Sequence, residues 1–189
     1  KNYTVGDAKM TPYYYFPSIT EGIYYINASV CDNLGSCNGT ETRRVTYNFY
    51  PSINFVNPTE LSGILLNRNN IIVNVSANDT NIANITIYLY NSSKSLINFT
   101  NSTSAILYAN FSGLSDGLYF FNSTACDLLG LCNSTETRNV TLDTTFPQIN
   151  FTNPTPINNF IQNYDGVFAN VSSSSSDING NHSVFVDWD

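Results

Sequence analysis

One stretch of this chain occurs twice, and it constrains the fold more than any other feature. Residues 22–46 read GIYYINASVCDNLGSCNGTETRRVT, and residues 117–141 read GLYFFNSTACDLLGLCNSTETRNVT. Each copy alternates apolar and polar residues on both sides of a short Gly-containing loop, which is the pattern of a β-hairpin. Each copy also sets a cysteine at either base of that loop, Cys31 and Cys37 in the first, Cys126 and Cys132 in the second. Cysteines so placed favour two disulfides, Cys31–Cys37 and Cys126–Cys132, and an oxidising compartment. Two free thiols per loop are the alternative. Closing so short a loop stabilises by about 2 kcal/mol on the chain-entropy account. The C-x-x-C spacing of zinc sites is absent, as are the histidines such a site would want.

The repeat extends beyond the hairpin. Cys31 and Cys126 are 95 residues apart, as are Glu41 and Glu136. Asn57-Pro58-Thr59 recurs 96 residues later as Asn153-Pro154-Thr155, and Asn74-Val75-Ser76 recurs as Asn170-Val171-Ser172. Internal repetition of this length points to tandem domains. One complete unit spans 51–146. Residues 1–50 match only the second half of that unit, and 147–189 match only the first half. The phase implies that the chain begins and ends inside a unit. A half-unit cannot bury both faces of its strands, and it leaves open a sheet edge that templates pairing with another chain.

Within the complete unit, strand signals fall at 52–56, 71–77, 85–90, 96–100, 106–111, 118–125 and 136–142. Inward positions are Ile53 and Phe55, then Ile71, Val73 and Val75, then Ile85, Ile87 and Leu89. Seven short alternating strands in such a span argue an immunoglobulin-like β-sandwich. Helical periodicity is lacking. The fold expected is all-β: tandem immunoglobulin-like sandwiches, one complete central unit flanked by two half-units. With the seven strands lettered A to G in chain order, the half at 1–50 would hold D to G, and the half at 147–189 A to C. Tyr24 and Tyr119 open the same strand in the two copies. They fit the tyrosine corner of such sandwiches, or an ordinary core tyrosine.

The most specific chemical signal is Asn-x-Ser/Thr with x not proline. It occurs at sixteen positions: Asn2, Asn27, Asn38, Asn74, Asn78, Asn84, Asn91, Asn98, Asn101, Asn110, Asn122, Asn133, Asn139, Asn150, Asn170 and Asn181. Side chains alternate across a strand, and this puts Asn27, Asn74, Asn110, Asn122, Asn139 and Asn150 opposite the apolar set. N-linked glycans must sit outside. Any polar residue would also face outward there, but that alone does not explain a Ser or Thr two places on. The expectation is an N-glycosylated surface. Sugars would also supply the solubility that charge normally gives, for only 11% of the chain is charged.

A net charge of -7 with seven basic residues excludes a phosphate-binding patch and so disfavours nucleic acid. No apolar run reaches the ~18 residues of a membrane helix. Asp32, Asp127, Glu41 and Glu136 recur at the hairpin loops, with Asn33 beside the first. They offer oxygens to calcium, although a turn-stabilising role for the Asp fits better. No other cofactor is expected. The acids are too scattered for glycosidase chemistry. His182 has no nucleophile to serve, and the chain carries no catalytic signature. Trp188 and Tyr13, Tyr14 and Tyr15 are of the type that stacks on sugars, or that fills a core or interface.

The segment DGLYFFNSTACDLLGLCNSTETRNVTLDTTFPQINFTNPTP resembles the tandem immunoglobulin-like repeats of archaeal and bacterial cell-surface proteins. The similarity lies in the D-G-x-Y opening, the A-x-D loop, T-E-T-R-x-V-T-L-D and the following I-x-F. Cysteines replace neutral loop residues here, and Phe146 stands where a proline is usual. The tail NHSVFVDWD resembles the lead-in to laminin-G-like modules. The resemblance implies extracellular spacers, adhesins or filament subunits, and no shared enzyme activity. The expectation is a head-to-tail homopolymer in which 147–189 of one copy completes the sandwich begun by 1–50 of the next. Val184, Val186 and Trp188 would then take the inner places of Ile85, Ile87 and Leu89. The alternative is part of a longer adhesin or carbohydrate-binding protein.

Overall fold

In a computed structural model, residues 13–163, 165–174 and 183–185 are described. Every regular element among them is a strand. The chain divides into two units, Lys1–Phe49 and Tyr50–Asp189.

Among the described residues the first unit holds four strands: β1 (Gly22–Ile26), β2 (Ser29–Cys31), β3 (Cys37–Gly39) and β4 (Arg43–Tyr47). Antiparallel pairing joins β1 to β4 and β2 to β3. Of the strands expected over 1–50, only this closing hairpin forms among the described residues.

The second unit opens with β5 (Ser52–Phe55), β6 (Ile64–Leu66), β7 (Asn70–Asn78), β8 (Ile82–Tyr90) and β9 (Leu96–Ser102). It continues with β10 (Ile106–Ser112), β11 (Gly117–Asp127), β12 (Cys132–Ser134) and β13 (Arg138–Leu142). One sheet runs β10-β7-β5 and the other β6-β13-β11-β8-β9, with β12 also on β11. Strict alternation turns Ile71, Val73, Val75 and Ala77 of β7 inward, with Ile85, Ile87 and Leu89 of β8 and Tyr119, Phe121 and Ala125 of β11. The inward residues of both sheets form one core. Phe55 of one sheet meets Phe121 of the other edge-on, with ring centroids 5.5 Å apart. This is the layering of a β-sandwich. Each fully buried Ile, Leu or Phe contributes roughly 1.5–3 kcal/mol.

Two differences from the sequence reading have local causes. Strand β6 was not expected: it is three residues long, too short for alternation to register. It pairs parallel with β13, Val140 opposite Ile64. The strand expected over 136–142 forms as β13 from Arg138, and a further short strand, β12, precedes it; Thr135 lies between the two and interrupts the ladder. Its hydroxyl accepts the Ser123 N–H at 3.0 Å and donates to the Glu136 carbonyl at 3.0 Å. Thr40 does the same in the first hairpin, accepting the Ala28 N–H at 2.9 Å and donating to the Glu41 carbonyl at 3.0 Å.

Beyond the sandwich, β14 (Gln148–Thr152) pairs with β15 (Asn170–Ser174). Their register sets Phe151 opposite Val171, as β5 and β7 set Phe55 opposite Val75. The hairpins agree likewise: Gly22 faces Tyr47 as Gly117 faces Leu142. The repeat read from sequence is therefore also a repeat of register. Of the third strand expected after 174, only 183–185 are described, and they carry no strand.

Candidate assembly faces and repeated clasps

Both loop clips form. Cys31 stands directly opposite Cys37, and Cys126 opposite Cys132, each pair joined by a disulfide with Cα atoms 4.0 and 4.1 Å apart. Within the first loop the Asp32 Oδ1 accepts the N–H groups of Leu34 and Ser36, both at 2.9 Å. In the second the Asp127 Oδ1 accepts those of Leu129 and Leu131 at 2.8 and 2.9 Å. The recurring Asp is thus the turn-stabilising group, satisfying backbone donors that the tight loop leaves over.

The opening tyrosines also behave alike. The Tyr119 hydroxyl donates to the Ser115 carbonyl at 2.9 Å, and the Tyr24 hydroxyl to the Thr20 carbonyl at 2.7 Å. This backward bond is the tyrosine-corner geometry. Just before each tyrosine an acid holds the chain that leaves the hairpin. Asp116 accepts from the Thr144 N–H and hydroxyl at 3.0 and 2.8 Å and from the Thr145 hydroxyl at 2.7 Å. The Thr145 and Thr144 donors hold the Asp116 carboxyl below the usual carboxylate range. Glu21 accepts the Phe49 N–H at 2.7 Å.

The two copies diverge in how their arginines and apolar residues are covered. In the complete unit Arg138 donates through Nε to Glu136 at 2.9 Å and through Nη1 to the Glu60 carbonyl at 3.1 Å. Its guanidinium lies 4.4 Å from the centroid of the Phe55 ring. The Arg138 side chain is consequently 21% exposed. Arg43, at the same place in the first hairpin, keeps its acidic neighbour Glu41 at 2.7 Å but is 76% exposed. In each copy the arginine holds the glutamate carboxyl below its ordinary range. Phe151, at the place of Phe55, is 71% exposed. Ile149 and Val167 are exposed too, whereas Ile53 and Ile71, at their places in the complete unit, are buried. In the first unit Ile26, Val45 and Tyr47 are exposed, where Phe121, Val140 and Leu142 are buried.

The acceptor asparagines differ in setting. Asn27, Asn38, Asn78, Asn84, Asn98, Asn101, Asn110, Asn133, Asn150 and Asn170 are exposed, and Asn74, Asn91, Asn122 and Asn139 half-buried. Asn27 and Asn122 donate through Nδ2 to Thr42 and Thr137 at 3.1 and 3.2 Å. Asn133 donates to the Pro51 carbonyl at 3.0 Å. Asn74 lies on the outer face, as alternation requires, but it is half-buried there. The loop after β5 covers it, and its Nδ2 donates to the Asn57 carbonyl at 3.0 Å. Asn2, Asn181, His182, Val186 and Trp188 lie outside the described residues. Val184 is exposed, as are Tyr13, Tyr14 and Tyr15.

Among the described residues no three His, Cys, Asp or Glu side chains gather as a metal site would need. The loop acids Asp32 and Asp127 bond backbone N–H groups, and Glu41 and Glu136 bond arginines. No helix of the described residues is long and apolar enough to cross a membrane.

No family model matches the chain, and no curated protein matches it. Two solved structures share some of its path. One is an engineered protein, 17% identical over 49% of this chain and 20% of that one, with a TM-score of 0.38. The other is dimeric latent PorU from Porphyromonas gingivalis, 12% identical over 69% of this chain and 13% of that one, with a TM-score of 0.39. The chain thus spans a fifth or less of either, and overlaps this loose carry no functional argument.

Proposed function

We propose that this chain is a structural segment of an extracellular, N-glycosylated fibre or stalk built from immunoglobulin-like sandwiches. Its role is to span distance and it performs no catalysis. The open half in each unit is completed by the complementary half of a second copy, as in other forms of strand addition. The observation that carries this reading is the contrast between Arg138 on Phe55 and the exposed pair Arg43 and Phe151. Each of the two is exposed and is the residue type that the other's counterpart packs against in the complete unit. A second pair agrees. Asn133 donates to the Pro51 carbonyl in the complete unit, and Asn38 and Pro147 hold the same places in the two halves. Such a contact joins unlike faces and does not close on itself, so it propagates as an open filament.

The same faces would be satisfied if complementary halves followed one another in a longer polypeptide, as in a multidomain adhesin. The internal repeat itself favours that second reading. Sedimentation of the purified chain separates the two. Linear assemblies that disappear in Phe151→Asp and Val184→Asp support completion by a second copy. Unchanged assemblies in both variants, or a wild-type chain that stays monomeric at high concentration, overturn it. A native glycoprotein whose deglycosylated, reduced mass far exceeds 21.0 kDa would support the covalent reading.

A further inference from the structure

The sequence repeats Asn-Pro-Thr and, further on, Asn-Val-Ser, and the structure gives these triplets a shared use. In the complete unit the Thr59 hydroxyl accepts the Asn74 N–H at 2.8 Å and donates to the Asn74 carbonyl at 2.6 Å. The Asn74 Nδ2 then donates to the Asn57 carbonyl at 3.0 Å. In the later copy the Thr155 hydroxyl accepts the Asn170 N–H at 2.5 Å and donates to the Asn170 carbonyl at 2.7 Å. The Asn170 Nδ2 donates to the Asn153 carbonyl at 2.9 Å. The Asn57–Pro58 and Asn153–Pro154 peptides are both cis. Three bonds thus pin the same loop to the same strand in two parts of the chain. The Asn74 Oδ1 is shut off from solvent as well.

N-glycosylation uses that same Nδ2. A bond forms from Nδ2 to the sugar C1, and the C1–O bond to the phosphate of an activated sugar-phosphate donor breaks. One amide proton leaves, and the phosphate departs with the bonding electrons. A sugar at Asn74 would therefore take one of the two N–H positions of an amide already engaged with the loop and would crowd that loop. No such cost falls on Asn84, Asn98, Asn101 or Asn110. These are exposed, and the hydrogen bonds at Asn98 and Asn110 use Oδ1: Asn98 accepts the Phe99 N–H at 2.8 Å and Asn110 accepts from Asn70 at 2.9 Å.

We infer that Asn74 and Asn170, although each stands in an acceptor triplet, are structural clasps that stay unmodified because their Nδ2 atoms hold the loop, and that sugar is carried by Asn84, Asn98, Asn101 and Asn110. The second half of this inference rests on the glycoprotein reading above; the first half does not.

The test is site-by-site occupancy by mass spectrometry on the full chain, secreted through an N-glycosylating pathway. The expected result is sugar on Asn84, Asn98, Asn101 and Asn110 and bare Asn74 and Asn170. Sugar on Asn74 or Asn170 at the level of Asn98 overturns the clasp assignment. Bare Asn84, Asn98, Asn101 and Asn110 overturn the acceptor assignment, whereas failure of the glycoprotein reading shows separately, as native material without sugar anywhere. A Thr59→Val chain adds a second readout: opening the clasp raises occupancy at Asn74 while Asn98 is unchanged. A bare Asn74 in that variant overturns the argument that the clasp is what protects it. Finally, Asn74→Asp lowers the unfolding midpoint and Asn98→Asp does not; equal midpoints for the two count against a structural role.

Discussion

The guanidinium of Arg138 rests 4.4 Å from the centre of the Phe55 ring, and this contact ties the last strand of one sheet to the first strand of the other. Phe55 also meets Phe121 edge-on. Phe55→Ala removes both contacts from a half-buried site. The expected loss of stability is about 2–3 kcal/mol, counting cavity and cation–π terms together. Denaturant unfolding of the full chain checks it; a midpoint unmoved from wild type would mean that the two sheets are held without this bridge.

Phe151 holds the same place in the repeat but is 71% exposed. Phe151→Ala should leave the unfolding midpoint of the complete sandwich unchanged while abolishing self-association. Light scattering alongside the denaturation curve reads both. A destabilised sandwich with intact association would reverse the assignment.

The loop clips can be tested by replacing both members of one pair. Cys126→Ser with Cys132→Ser should cost about 2 kcal/mol through the freedom returned to the unfolded loop. Circular dichroism melts with and without a reductant provide the check: wild type in reductant should match the double variant, and the double variant should ignore it.

Asp116 gives a pH dependence of defined sign. Its folded-state pKa is depressed, first by the Thr145 and Thr144 hydroxyls and then by the Thr144 N–H. The stabilisation is therefore present above the ordinary carboxylate pKa near 4 and is lost as pH falls through the lower folded value. Amide exchange at Thr144 should accelerate over that acid window in wild type. In Asp116→Asn it should be fast throughout, with little change across the window.

Tyr119→Phe deletes only the hydroxyl that reaches the Ser115 carbonyl. One such bond contributes about 1 kcal/mol, so a modest drop in midpoint is expected with no change in assembly. Calorimetry on the two chains measures the former directly.

Much of this architecture was legible because the core is written in period two. Ile71, Val73 and Val75, then Ile85, Ile87 and Leu89, alternate so strictly that their strands and their inward faces follow from spacing alone. The tyrosine corner and the loop disulfides were legible for a related reason, being local along the chain. What stayed hidden was non-local or borrowed by side chains. Strand β6 is fixed by a parallel partner seventy-odd residues away, and nothing within three residues announces it. The break at Thr135 depends on a hydroxyl taking a backbone partner. Asn74 looked outward by alternation and is outward, yet a loop from the far side of a proline lies over it. Alternation assigns a face, but it does not say what else packs there.

The parallel pairing of β6 with β13 has a mechanical meaning. These two strands lie near opposite ends of the complete unit in sequence and point the same way. Tension applied to the two ends of that unit would slide one strand along the other and load their hydrogen bonds together in shear, with no peeling of one bond at a time. A string of such units would resist stretching until a whole row of bonds failed at once.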